Sequence, residues 1–161
     1  MRGLKEKAAS FAEATMLEQV TGLLGGRRVL RRGVDSQLEA HEMLLAGLPA
    51  SAATHLVDNL VVIREPASLE KALGMSLRTF QRRKEGAAKP LNTEQSGRTW
   101  KFAEILAKAT AVFGTQEEAE RWLERPAMGL NRHRPIDLLA TAAGVELVET
   151  FLVQLEYGVY V

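Results

Sequence analysis

The chain has 161 residues, enough for one domain or two small ones packed together, and 46% of them are apolar, ordinary for a protein that buries a core. It contains no cysteine, which excludes disulfides and thiolate chemistry and points to a reducing compartment. The formal charge of +1 hides an uneven spread: residues 1–75 balance, residues 76–101 carry seven basic against two acidic side chains, and residues 102–161 carry five against nine. A basic segment beside an acidic one suggests two partners of different kinds, or a solvated basic helix face. No apolar run approaches a membrane-spanning length, and Glu6 and Glu13 break up any signal-peptide core, so the expected location is cytoplasmic.

Residues 1–24 read as a helix with a weak apolar stripe (Leu4, Ala8, Phe11, Ala12, then Val20, Leu23 and Leu24), ended by Gly25-Gly26. So thin a stripe implies a helix that is poorly packed or partner-dependent. Arg27–Val34 sets two Arg pairs around Val29-Leu30 and reads as a short extended piece or an exposed loop, with a basic nucleic-acid arm as the sharper alternative. Asp35 or Ser36 caps the next helix, Gly47-Leu48-Pro49 ends it, and Ser51 starts another. Leu60–Ile63 is strand-like in composition, but its surroundings are helical and an α-helical context is expected.

Glu65–Gly86 is more informative. Ser68 is placed to cap a helix over Leu69–Leu73, which Gly74 ends in the left-handed conformation. Ser76 then caps a second helix from Leu77 to about Glu85, and Leu73, Met75, Leu77 and Phe80 brace the pair. Two short helices around a glycine-containing turn make a helix-turn-helix unit. On the second helix Arg78, Gln81 and Arg82 share a face, and Thr79 and Arg83 line the next. Arg donates two bonds to guanine and Gln pairs with adenine, so this face suits a DNA major groove. Arg83, Lys84, Lys89 and Arg98 suit phosphates. The competing interpretation is a helical hairpin with a basic outer face.

Asn92 and Gln95 form a capping box for a long helix to Phe113, apolar on two sides (Trp100, Ala103, Ala107, Ala111; Phe102, Leu106, Ala109, Phe113) and hence a buried spine. Thr115 and Glu118 box the next helix, which carries Ala119, Trp122 and Leu123 on one face and stops at Pro126. Its acidic residues Glu117, Glu118, Glu120 and Glu124 read as a solvated surface. After the turn Asn131–Arg134, a helix starts at Pro135 and runs through Ile136 and Leu139 to Gly144, with Asp137 favouring its dipole. A last helix carries Val148, Phe151, Leu152 and Leu155, and the tail Glu156–Val161 is polar and aromatic. His41, His55 and His133 are scattered, and no metal, phosphate-loop or nucleophile–base pattern appears, so neither enzyme activity, a cofactor nor a metal is expected.

Ala-Val-Phe-Gly at 111–114, Glu118-Ala119, Trp122-Leu123, Pro126, Leu130, Pro-Ile-Asp-Leu-Leu at 135–139, Thr141, Gly144 and Leu-Glu-Tyr-Gly-Val-Tyr at 155–160 together resemble the toxin-binding domain of Xre/ParS-type antitoxins. Gly74–Arg83 with Leu91–Arg98 resembles the Xre-like helix-turn-helix that precedes it. One departure is the turn before Pro135, where the family usually has Gly and this chain has the basic Asn131–Arg134. The resemblance implies an all-α protein: residues 1–35 an N-terminal helix and basic loop, 36–92 the helix-turn-helix domain, and 93–161 the toxin-binding domain, joined by the long helix. It further implies the antitoxin of a type II pair whose partner is a RES-type toxin acting on NAD, or a related ADP-ribosyltransferase. Such an antitoxin occludes the toxin's active site, represses its own operon as a homodimer, and joins a larger toxin–antitoxin complex. The DNA-contacting residues are then Arg78, Thr79, Gln81, Arg82, Arg83 and Lys84. The toxin-contacting residues are Trp122, Arg132, Arg134, Tyr157, Gly158, Val159, Tyr160 and Val161 with its carboxylate. The alternative is a transcriptional regulator whose C-terminal module dimerises and has no toxin partner.

Overall fold

The long helix is built as its sequence directs. Asn92 Oδ1 accepts from the Gln95 N–H at 2.8 Å and Gln95 Oε1 accepts from the Asn92 N–H at 3.2 Å, closing the capping box. At the far end Gly114, at φ 93°, takes the left-handed cap. A computed structural model describes residues 1–76, 78 and 89–158. Among these the elements are α1 (Arg2–Leu23), α2 (Gly26–Leu30), α3 (Gln37–Ala46), α4 (Ala50–Asp58), α5 (Pro66–Leu73), the long helix α6 (Thr93–Phe113), α7 (Gln116–Glu124), a 3-10 turn (Met128–Leu130), α8 (Pro135–Leu138) and α9 (Ala142–Glu156). No strand occurs among the described residues.

α6 is the spine: α1, α3, α5, α7 and α9 all pack against it. Trp100, Phe102, Ala103, Ile105, Leu106, Ala107 and Ala109 are buried around it, so both apolar stripes are used. α1 joins the core through Leu17 and Val20, with Met16 and Leu23 partly buried against it and Leu24 just beyond, while Leu4 and Phe11 are each 75% exposed.

Four expectations change. Gly26–Leu30 is a helix, where an extended piece or loop was expected; it pivots on Gly25 at φ 99° and buries Leu30. Leu60–Ile63 is neither strand nor helix but an irregular linker between α4 and α5. α5 starts earlier than the Ser68 cap predicts, because Pro66 supplies the first helical position behind Glu65. α8 ends at Leu138, and Thr141 caps a fresh helix by accepting from the Gly144 N–H at 3.0 Å. Gly144 therefore sits inside α9, where a Cβ would lie 1.9 Å from the Leu138 carbonyl oxygen. Only glycine lets α9 start so close to the end of α8.

Candidate functional site

The helix-turn-helix half is organised at its turn. Gly74 holds φ 67°, and Leu73 and Met75 are buried as the expected brace. Arg78 is helical and exposed. The other predicted contacts, Thr79, Gln81, Arg82, Arg83 and Lys84, lie outside the described residues, as do Leu77, Phe80 and the rest of the expected recognition helix. Lys89 is exposed. Arg98, expected at a phosphate, is only half-exposed: its guanidinium lies over Gly74 and donates to the Lys71 carbonyl.

Polar ties join this half to the C-terminal one. Arg134 donates to both Asp137 oxygens at 2.9 Å, to Ser68 Oγ at 3.2 Å and to Glu65 at 3.3 Å. Lys71 reaches Asp137 at 3.3 Å. The Arg134 hydrogen bonds hold the Asp137 carboxyl below its ordinary range, and the Ser68 and Arg134 bonds do the same for Glu65. Arg134 is shifted further upward, chiefly by its bonds to Asp137. Closer to the middle of α6, Lys101 meets Glu149 at 3.0 Å and Lys108 meets it at 3.1 Å, pinning α9 to α6. Burial disfavours the Lys101 charge, but Glu104 and Glu149 outweigh it and its pKa is raised.

The third tie is a residue that the sequence reading placed in solvent. Glu120 is fully buried. Its carboxylate accepts from the Val61 N–H at 2.9 Å, the Val62 N–H at 2.9 Å and the Ile63 N–H at 3.0 Å, and from Gln116 Nε2 at 2.9 Å. Gln116 in turn donates to the Asn59 carbonyl at 3.0 Å. Three successive backbone N–H groups turned toward one anion form a nest, which explains why the β-branched linker forms no ladder: α7 supplies the acceptor. The signal was present as a Glu on the same helical face as Ala119 and Leu123, beside the apolar stripe.

The C-terminal half carries a cluster of half-buried aromatic rings. Trp122 is half-buried between Phe113, with ring centroids 5.3 Å apart, and Phe151, at 6.1 Å. Asn131 and Arg132 both hold positive φ, 53° and 65°, so the turn keeps the left-handed conformation without the family's glycine. Arg132 is exposed there, while Arg134 faces α5. Tyr157 is 75% exposed and Gly158 turns the chain at φ 67°. Val159, Tyr160 and Val161 lie outside the described residues. The structure thus places Trp122 and α9 side by side and holds Arg134 away at the seam. Among the described residues no group of acidic, His or Cys side chains is arranged to hold a metal, and no helix is long and apolar enough to cross a membrane.

Residues 39–104 match the model of the antitoxin Xre-like helix-turn-helix domain, and residues 108–158 match that of the antitoxin Xre/MbcA/ParS C-terminal toxin-binding domain. Antitoxin Xre of Pseudomonas putida is 32% identical over 123 residues, covering 76% of this chain and 74% of that protein. The chain belongs to the Xre antitoxin family. It is an all-α antitoxin with a helix-turn-helix domain and a toxin-binding domain, whose partners are a toxin and DNA. Antitoxins of this kind are not enzymes. The two matched regions meet inside α6, so one continuous helix carries both.

Proposed function

We propose that this antitoxin neutralises a RES-type, NAD-consuming toxin by covering the mouth of its active site with α9 and the segment Tyr157–Val161. The observation that carries the reading is that the last helix of the matched toxin-binding region ends on an exposed Tyr157 and a left-handed Gly158. Tyr is favoured in such contacts because it joins apolar area to a hydroxyl at low entropy cost. Trp122, Arg132, Arg134, Gly158, Val159, Tyr160 and Val161 complete the proposed toxin surface, with Arg134 acting from the seam. Deleting Tyr157–Val161 should leave the melting temperature unchanged and abolish protection in a growth assay against the co-encoded RES-domain protein. Full protection by the truncated chain would refute the plug.

In the same reading the protein is cytoplasmic, dimerises through its N-terminal half, and represses its own operon. Arg78, Thr79, Gln81, Arg82, Arg83 and Lys84 contact the operator. A dimer then reads two half-sites about one turn of DNA apart. Arg82→Ala should weaken operator binding about tenfold or more in a mobility-shift assay while toxin binding survives. Equal loss of both activities would mean that the substitution acts on the fold.

A further inference from the structure

The outward face of α9 is exposed at Ala143, Glu146, Leu147 and Thr150. Ala143, Leu147, Thr150, Phe151 and Gln154 recur at helical spacing on the side opposite the buried Val148 and Leu152. Leu147 is 56% exposed, and Met128, on the adjoining 3-10 turn, is 78% exposed. Beside Leu147 runs a groove of about 580 Å3 floored by Gly129 and Leu130, walled by Thr150 and Phe151 and edged by Glu146. The groove is a built feature. A Cβ at Gly129 would sit 2.2 Å from the Phe151 ring, so glycine is what lets that ring lie down on the turn. The same ring stacks on Trp122 behind it.

Two observations name the occupant. The whole groove lies inside the region matched as toxin-binding, residues 108–158. Its stripe also continues in helical phase, 143–147–150–154, directly onto Tyr157. An occupant of the tail therefore meets the groove without a break. We infer that the Gly129–Leu147–Phe151 groove is the anchoring site for the toxin, taking an apolar ridge of that protein with a cation opposite Glu146, while the segment after Tyr157 does the occluding. Affinity then resides mainly in the groove, and inhibition in the segment that follows it. The inference rests on the proposed function, because it needs a toxin that the tail engages.

The two claims separate experimentally. Leu147→Glu and Thr150→Glu change exposed side chains that line the groove and should leave the thermal melt unaltered. Gly129→Ala instead displaces the Phe151 ring. Binding of the co-encoded RES-domain protein is measured by calorimetry for each variant and for the chain lacking residues 157–161, alongside inhibition of NAD turnover. Each groove variant should weaken binding about tenfold or more, as central apolar contacts do. The truncated chain should retain most of its affinity but not its inhibition. Unchanged affinity in the groove variants, with inhibition lost on truncation, overturns the groove while the plug stands. Loss of self-association in place of toxin affinity also overturns it, with a second copy as the occupant. Failure of the unaltered antitoxin to bind the RES-domain protein removes both claims.

Discussion

Glu120 offers the sharpest test of how the two halves are held together. Replacing it by Ala strips the acceptor from three backbone N–H groups at once. The Ile63 donor is buried, and an orphaned buried donor costs about 1–3 kcal/mol. The Val61 and Val62 donors are partly buried and recover water, so each forfeits about 1 kcal/mol of charge-assisted bonding. Relief from burying a carboxylate offsets part of this, leaving a net loss of about 3–4 kcal/mol. In a protein of this size that lowers the melting temperature by about 10 °C.

Glu120→Gln discriminates further. An amide oxygen in the place of Oε1 keeps the Val62 and Ile63 donors. The new amide nitrogen, however, faces Gln116 Nε2, and Gln116 cannot turn over without setting its oxygen against the Asn59 carbonyl. The expected cost is intermediate, about 1–2 kcal/mol. Urea unfolding followed by circular dichroism measures all three proteins. An Ala variant within about 1 kcal/mol of the unaltered chain, or a Gln variant weaker than the Ala one, would refute the nest.

Gly144→Ala should destabilise by about 3 kcal/mol or more, because the obstacle to the new methyl is the Leu138 backbone and cannot rotate away; the urea midpoint reads it. The seam ion pairs predict an acid limb. The folded-state pKa values of Asp137 and Glu65 lie below their ordinary 3.8 and 4.5, so their stabilisation is present above those values and is lost as pH falls through the depressed ones. In Arg134→Gln that loss should flatten, and urea midpoints taken stepwise into acid should show it; an unchanged slope would mean that Arg134 is not the cause. Trp122→Ala should cost about 2 kcal/mol, since two ring contacts and a half-buried indole are lost. With Trp100→Phe as background, Trp122 is the remaining tryptophan, and its emission should shift when toxin binds if it lies in the contact.

Local signals survived folding where one side chain and the backbone nearest it decide the outcome. Asn92 with Gln95, Thr115 with the Glu118 N–H, Gly74 and Pro135 all act within a few residues of themselves, and each stands where its chemistry puts it. The exception within this class is the reciprocal half of the second box: the Glu118 carboxylate turns to Arg121 at 3.7 Å. What failed were judgements that needed a distant partner. Glu120 looks solvated in a run of glutamates until Val61–Ile63, nearly sixty positions away, arrives beneath it. The ties of Arg134 to Glu65 and Ser68 were likewise beyond any local signal, since α5 brings both partners. The helix break at Leu139 was hidden because Leu138, Leu139 and Gly144 continue an apolar pattern, whereas Thr141 settles the boundary as a cap.

These pairings also alter what the uneven charge means. Several acids of the last third do not face outward as free charges: Glu120 serves the linker backbone, Asp137 serves Arg134 and Lys71, and Glu149 serves Lys101 and Lys108. Of the exposed acids of α9, Glu146 edges the groove beside Leu147 and Glu156 lies at the helix end, so apolar contact outweighs a general acidic field at the groove. Toxin association should accordingly change little between low and high salt, because burial of apolar surface is not screened. Operator binding through Arg78–Lys84 should fall steeply over the same range, since each phosphate contact releases counterions. Equal salt dependence of the two equilibria would mean that the toxin is held by charge, and that the groove on α9 is not where the affinity resides.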